Sequence, residues 1–111
     1  MIYEGQNLTV SLLDNGFAEL VFDAKGSVNK FDRQTISDLD EATQAIAANS
    51  DVKGVVVRSA KPAFIVGADI KMIKEFKTKE DVVKTSKEGH ELFKRIEKHK
   101  KPSVAAINGP C

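Results

Sequence analysis

The stretch Lys61-Pro62-Ala63-Phe64-Ile65-Val66-Gly67-Ala68-Asp69-Ile70-Lys71 decides the fold of this 111-residue chain. It follows the apolar run Val55-Val56-Val57, which predicts a buried strand, and it leads into a short helix for which Asp69 is the predicted N-cap. Gly67 and Ala68 stand at the junction, where small side chains leave main-chain N–H groups uncovered. The residues alone are equally compatible with a structural turn and with a site for a negatively charged oxygen.

The rest of the chain predicts an α/β fold. Residues 7–13 and 17–22 alternate around Asn15-Gly16, which predicts an antiparallel hairpin. Helical spacing predicts three helices, over residues 33–49, 70–76 and 79–99. Thr78 is the predicted N-cap of the last helix, and Glu80 and Asp81 are acidic residues in its first turn. Runs rich in β-branched residues predict two further buried strands, over residues 53–59 and 103–107. The order β-β-α-β-α-α-β is typical of a hairpin followed by parallel βαβ units in one domain.

Apolar spacing also predicts which helical faces are buried. For the helix over 33–49 the predicted inner face is Ile36, Leu39, Thr43, Ile46 and Ala47. For the helix over 79–99 it is Val82, Val83, Ser86, His90, Phe93 and Ile96. Gly89 inside the latter helix suggests close packing, because glycine is otherwise unfavourable there.

Composition excludes several classes of protein. With 17 basic and 16 acidic residues the net charge is +1, so no global field attracts nucleic acid or an anionic membrane. The basic cluster at 98–101 is compatible with a solvated helix end or with a phosphate-contacting patch. No apolar run approaches the roughly 18 residues of a membrane span, and residues 1–5 resemble no signal peptide. Cys111 is the only cysteine, which excludes an internal disulfide and predicts a reducing, cytoplasmic setting.

Common nucleotide and metal motifs are missing. The chain has neither a GxxxxGK[ST] loop nor a GxGxxG turn after its first strand. His90 and His99 are nine residues apart on one predicted helix and face different directions, so no metal site is expected. Ligands of open α/β sheets lie beyond the carboxyl ends of parallel strands. The segments that follow the two predicted parallel strands are residues 60–69 and 108–111, and these are the candidate ligand sites.

Two segments resemble motifs of the crotonase (enoyl-CoA hydratase/isomerase) superfamily. Residues 63–70 resemble its AF..GADI signature, and residues 102–109 resemble its KP.IAAING strand. The resemblance implies a crotonase-like ββα spiral, of which residues 1–111 are an incomplete N-terminal part. Residues 1–5, 18–23 and 26–30 are most similar to the branch that forms the α subunits of bacterial fatty acid oxidation complexes.

The resemblance also implies a site for acyl-CoA thioesters. In this family the amide of the residue matching Ala68 donates to the thioester oxygen and stabilises an enolate. Asp69 is implied to cap the helix and to fix that amide's direction. Lys30 is equally compatible with a phosphate contact and with a solvated side chain. The residues implied to bind substrate or coenzyme A are Val28, Lys30, Ala63, Phe64, Val66, Gly67, Asp69 and Ile70.

The implied parent protein is a fatty acid β-oxidation enzyme with enoyl-CoA hydratase/isomerase activity. Its full chain is expected to carry an NAD-dependent 3-hydroxyacyl-CoA dehydrogenase domain and to pair with a thiolase β subunit. The resemblance implies that the second oxyanion donor and the catalytic glutamates fall beyond residue 111, so residues 1–111 are expected to be inactive alone. Glu88 and Glu91 are expected to be solvated and not to take the role of these glutamates. A single-function crotonase and a non-catalytic CoA-binding or assembly module are the alternatives. An uncovered strand edge is expected to make the chain oligomerise.

Overall fold

The computed structural model describes all residues from Met1 to Cys111 and contains one five-stranded sheet. The strands lie side by side in chain order: β1 (Tyr3–Glu4), β2 (Leu8–Leu12), β3 (Phe17–Phe22), β4 (Gly54–Ser59) and β5 (Ser103–Ala105). The first three are antiparallel, whereas β3, β4 and β5 run parallel. The predicted hairpin and parallel units are therefore confirmed. The two-residue strand β1 was not predicted, because it is too short to show alternation.

The hairpin closes through a three-residue loop at Asp14-Asn15-Gly16. The Leu13 N–H donates to the Phe17 carbonyl at 2.8 Å, and the Gly16 N–H donates to the Leu13 carbonyl at 3.0 Å. Gly16 has φ of 86°, whereas Asn15 does not enter the left-handed region. Only the glycine of the predicted Asn-Gly pair therefore uses its conformational freedom.

Three helices complete the fold: α1 (Arg33–Ala48), α2 (Ile70–Lys74) and α3 (Lys79–Glu97). Each begins at a polar cap that satisfies otherwise unpaired amides. The Asp32 carboxylate accepts from the Thr35 N–H at 2.8 Å, and Asp69 accepts from the Lys71 N–H. Thr78 and Asp81 form a capping box at the start of α3, as the sequence predicts.

The core lies between one face of the sheet and helices α1 and α3. Its buried members include Leu8, Val10, Ala18, Leu20, Phe22, Leu39, Ala42, Ile46, Val52, Val55 and Leu92. On α1 the prediction of Ala47 as a core residue is wrong, since Ala47 is exposed and Ala42 is buried instead. The burial of Ala42 follows from the crossing of α1 over the sheet, which helical spacing alone does not define.

The predicted apolar stripe of α3 is also largely wrong. Leu92 is its one buried residue, Ile96 is half-buried, and Val82, Val83 and Phe93 are exposed. The two remaining predicted members, Ser86 and His90, are exposed as well. Only the C-terminal half of α3 lies over the core, so the apolar residues of its first turns stay at the surface.

Two further predictions fail at the edge of the fold. A Cβ added at Gly89 would meet nothing within 4 Å, so no close packing requires glycine there. Strand β5 is exposed rather than buried, with Val104 62% accessible, because it lies at the end of the sheet with one neighbouring strand.

Lys101, in the linker before β5, donates to the carbonyls of Ile46, at 2.8 Å, and of Asn49 at the C-terminus of α1. This cation therefore caps α1 rather than standing in solvent.

The Tyr3 hydroxyl donates a hydrogen bond to Asp38 on α1, and this contact between the N-terminal segment and α1 depends on pH. Burial, aided by the charges of Asp38 and Glu41 and by a hydrogen bond to Asp38, raises the pKa of Tyr3 from 10.0 to about 12. The folded state thus holds the phenol proton more tightly than the unfolded state. This contribution to stability is complete below about pH 10 and is lost as the pH rises towards 12.

Tyr3 is the only tyrosine, so phenolate absorbance measures its titration directly. We expect a midpoint near 12 in the folded protein and near 10 in denaturant. The stability of a Tyr3→Phe variant should fall less steeply over this range than that of the wild type. Coincident titration curves in native buffer and in denaturant would contradict the assignment.

None of the helices is both long enough and apolar enough to cross a lipid bilayer. The structure also contains no group of three or more His, Cys, Asp or Glu side chains that could hold a metal ion.

Candidate functional site

The carboxyl ends of β4 and β5 meet, as the parallel topology predicts. The Phe64 N–H donates to the Pro110 carbonyl at 2.8 Å, and the Asn108 side chain donates to the Lys61 carbonyl at 2.6 Å. A Cβ added at Gly109 would lie 2.1 Å from the Pro62 carbonyl oxygen. The two segments that the sequence marks as candidate ligand sites are therefore in direct contact.

The turn at Gly67-Ala68 is held by the backbone of Phe31. The Phe31 N–H donates to the Gly67 carbonyl at 2.8 Å, and the Phe31 carbonyl accepts from the Asp69 N–H at 3.0 Å. Together they form an isolated parallel bridge opposite Ala68. Because the bonds of such a bridge come from the residues on either side, the N–H of Ala68 points away from Phe31.

The Ala68 N–H consequently donates no hydrogen bond within the chain. Gly67 precedes it with φ of 109°, a backbone conformation that side chains strongly disfavour. Ala68 itself is exposed. The arrangement is a bare peptide donor at the carboxyl end of β4, which can bind an oxygen that gains negative charge.

Asp69 acts as a helix cap in this arrangement. Its carboxylate accepts from the Lys71 N–H at 3.3 Å and so engages the first turn of α2. Helix α2 has only five residues, so its dipole adds little to the field at the turn. The hydrogen-bonding capacity of the site therefore comes mainly from the free amide.

The structure brings the two predicted binding segments together. The Val66 N–H donates to the Asn29 carbonyl at 3.0 Å, so the loop containing Val28 and Lys30 borders residues 63–66. Among the predicted residues, Phe64 is buried, Val28, Ala63, Gly67 and Asp69 are half-buried, and Lys30, Val66, Ala68 and Ile70 are exposed. Lys30 makes no ion pair within the chain, whereas Lys61 pairs with Asp23 at 3.0 Å.

Two residues at this site, Asn29 and Ser59, were missed by sequence reasoning. Both side chains are buried, and the Asn29 amide donates to the Ser59 hydroxyl at 2.8 Å. The available signals were an asparagine in a glycine- and serine-containing loop and a serine that closes an apolar strand. Neither signal specifies a partner, since the residues lie 30 positions apart. Glu88 and Glu91 are exposed on α3, which confirms their predicted solvation.

The fold and the site define a crotonase-type α/β unit, in which a glycine turn after a parallel strand presents a free amide. The family model described as enoyl-CoA hydratase/isomerase matches residues 13–111, and the chain belongs to that family. The predicted family resemblance is thereby confirmed.

Named relatives refine this placement. The chain is 50% identical over 112 residues to the fatty acid oxidation complex subunit alpha of Pseudomonas putida, a match covering 98% of this chain and 16% of the relative. The corresponding subunit of Ectopseudomonas oleovorans is 47% identical, with the same coverage. The chain thus spans about a sixth of the length of these curated relatives.

Solved structures agree on the fold. An enoyl-CoA hydratase/isomerase from Xanthobacter autotrophicus Py2 is 26% identical with a TM-score of 0.86, covering 98% of this chain and 40% of that one. An enoyl-CoA hydratase from Shewanella pealeana has a TM-score of 0.85 at 21% identity, covering 91% of this chain and 38% of that one. The crotonase fold predicted from the sequence is confirmed.

Proposed function

We propose that residues 1–111 are the N-terminal part of an enoyl-CoA hydratase/isomerase domain that acts on acyl-CoA thioesters in fatty acid β-oxidation. The unpaired N–H of Ala68 is the observation that carries the proposal. It would donate to the thioester carbonyl as that oxygen gains charge in the enolate-like transition state. One such donor typically contributes about 3 kcal/mol of transition-state stabilisation.

The neighbouring residues would bind and orient the substrate. Residues 63–66 and the loop at 28–30 form one continuous border along which coenzyme A would lie. Lys30 is exposed and makes no ion pair within the chain, so it would pair with a CoA phosphate. The second oxyanion donor and the glutamates that move protons would come from other parts of the full protein, so residues 1–111 alone would be inactive.

We extend the proposal to the full protein on the strength of the 50% identity to a fatty acid oxidation complex subunit alpha. Its chain would also carry an NAD-dependent 3-hydroxyacyl-CoA dehydrogenase domain, and it would assemble in the cytoplasm with a thiolase β subunit. Exposed Val104 and Ile107 at the open β5 edge support association with further polypeptide. A single-function crotonase and a non-catalytic CoA-binding module remain the alternatives.

The test is an assay of the full-length protein with a trans-2-enoyl-CoA. We expect loss of the enoyl thioester absorbance on hydration, followed by NAD reduction when NAD is added. Hydration without NAD reduction would favour the single-function crotonase. Acyl-CoA binding without hydration would favour the binding module, and absence of both would refute the proposal.

A further inference from the structure

Asn29 and Ser59 are buried polar side chains at the carboxyl end of β4. They are 1% and 7% accessible, respectively. The other buried polar residues, Thr35 and Asp38, lie in the first turns of α1 and serve the N-terminal segment. Buried amides and hydroxyls destabilise a fold unless they are hydrogen-bonded, so the partners of this pair show what it holds in place.

The Asn29 side chain is fully engaged. Its Oδ1 accepts from the Ala24 N–H at 3.1 Å, while its Nδ2 donates to the Ser59 Oγ at 2.8 Å and to the Phe64 carbonyl at 3.0 Å. Both amide hydrogens and the amide oxygen are thus used. The side chain ties its own loop to the end of β4 and to the segment after it.

The Ser59 hydroxyl organises that segment. Its Oγ accepts from the Lys61 N–H at 2.9 Å and donates to the Ala63 carbonyl at 2.8 Å. The segment between β4 and Phe64 is therefore hydrogen-bonded to the Ser59 hydroxyl, which also accepts the hydrogen bond from Asn29. Neither side chain makes a hydrogen bond to Gly67 or Ala68.

The same two segments continue towards Ala68. The Asn29 carbonyl accepts from the Val66 N–H at 3.0 Å, and Phe31 then brackets Ala68 through its bonds to Gly67 and Asp69. Residues 29–31 and 64–69 are thus joined at successive positions. Among the hydrogen bonds that join these two segments, only the bond from Asn29 to the Phe64 carbonyl involves a side chain.

We propose that Asn29 and Ser59 form a latch that positions the Ala68 amide for catalysis. This inference rests on the proposed function and deepens it. Asn29 is a positioning residue, because it acts through the backbone of residues 59–68 and does not touch the reacting atoms. Without the latch, only main-chain hydrogen bonds would hold residues 29–31 to residues 64–69, and the direction of the amide would be less tightly fixed.

The test uses the full-length protein and an Asn29→Ala variant. We expect kcat for enoyl-CoA hydration, per folded molecule, to fall by about 10²-fold with little change in KM, since misplacing a reacting group by about 1 Å has that effect. A second readout is the near-ultraviolet absorbance of the enolate formed from a bound 3-ketoacyl-CoA. Its apparent pKa should rise in the variant, because the amide no longer stabilises the enolate oxygen.

Asn7→Ala is the matched control. Asn7 also donates its amide to a hydroxyl, that of Thr35 at 2.9 Å, but its side chain makes no bond to residues 59–68. Both variants should lower the melting temperature, whereas only Asn29→Ala should lower kcat and shift the enolate pKa. Equal kcat per folded molecule in the two variants would overturn the inference.

If Asn29→Ala does not fold, two variants of Ser59 test the same proposal with smaller changes to the side chain. Ser59→Ala removes the hydroxyl, whereas Ser59→Thr retains it, so threonine should rescue most of the activity that alanine loses. Equal activity of the two variants would refute the latch. A wild-type protein that neither binds nor hydrates enoyl-CoA would refute the proposed function and the latch together, whereas normal hydration by Asn29→Ala would refute the latch alone.

Discussion

Replacing Ala68 with proline in the full-length protein is expected to lower kcat for enoyl-CoA hydration by about 10²- to 10³-fold. Proline deletes the amide hydrogen that we assign to the thioester oxygen. This hydrogen forms no bond inside the chain, so its removal leaves the hydrogen bonds of the fold intact. Kinetic constants and a melting temperature, measured on the same preparation, separate lost catalysis from lost folding.

Ala68→Gly is the appropriate control, because it keeps the N–H and removes only the methyl group. Its kcat should stay much closer to that of the wild type than to that of the proline variant. Undiminished turnover by Ala68→Pro would remove the central element of the proposed function. A large loss of melting temperature in that variant alone would show instead that proline distorts the turn after Gly67.

Replacing Gly109 with alanine is expected to destabilise the protein by about 3 kcal/mol, at the upper end of overpacking effects. The added Cβ would lie 2.1 Å from the Pro62 carbonyl oxygen. That contact involves the backbone, so no side-chain rotation relieves it, and the ends of β4 and β5 must move apart. We therefore expect the Asn108–Lys61 and Phe64–Pro110 hydrogen bonds to be lost as well.

Gly89→Ala is the matched control, with an effect of opposite sign. A Cβ at this helical position meets nothing within 4 Å, so the higher helix propensity of alanine should stabilise the protein by about 1 kcal/mol. Chemical denaturation measures both variants. A neutral Gly109→Ala, or two variants with the same change in stability, would contradict the close approach of the two strand ends.

Local chemistry made several elements predictable. Asp69 and Thr78 are polar residues placed directly before helical segments, and both cap the helices as predicted. The Asn15-Gly16 pair predicted the hairpin, because a glycine at a tight loop can adopt positive φ. Each of these signals depends on a few neighbouring residues, so no knowledge of distant contacts is needed.

Burial was less predictable, because it depends on what an element packs against. Helix α3 carries exposed Val82 and Val83 on its predicted inner face, while Leu92 enters the core. Strand β5 has an apolar sequence but lies at the edge of the sheet and is exposed. A periodic pattern identifies an apolar face, but it does not define how far along a helix the covering layer extends.

The sequence by itself determined the order of β2 to β5 and of the three helices, the caps at Asp69 and Thr78, the family and the position of the Gly67-Ala68 turn, because these follow from short-range preferences and motifs. Only the tertiary structure decided that the Ala68 N–H is unpaired and that the Asn29 and Ser59 side chains are hydrogen-bonded to each other. Phe31 and Ala68, the two residues of the bridge, are 37 residues apart in the sequence. The direction of a peptide group is set by such long-range hydrogen bonds, which no local pattern encodes.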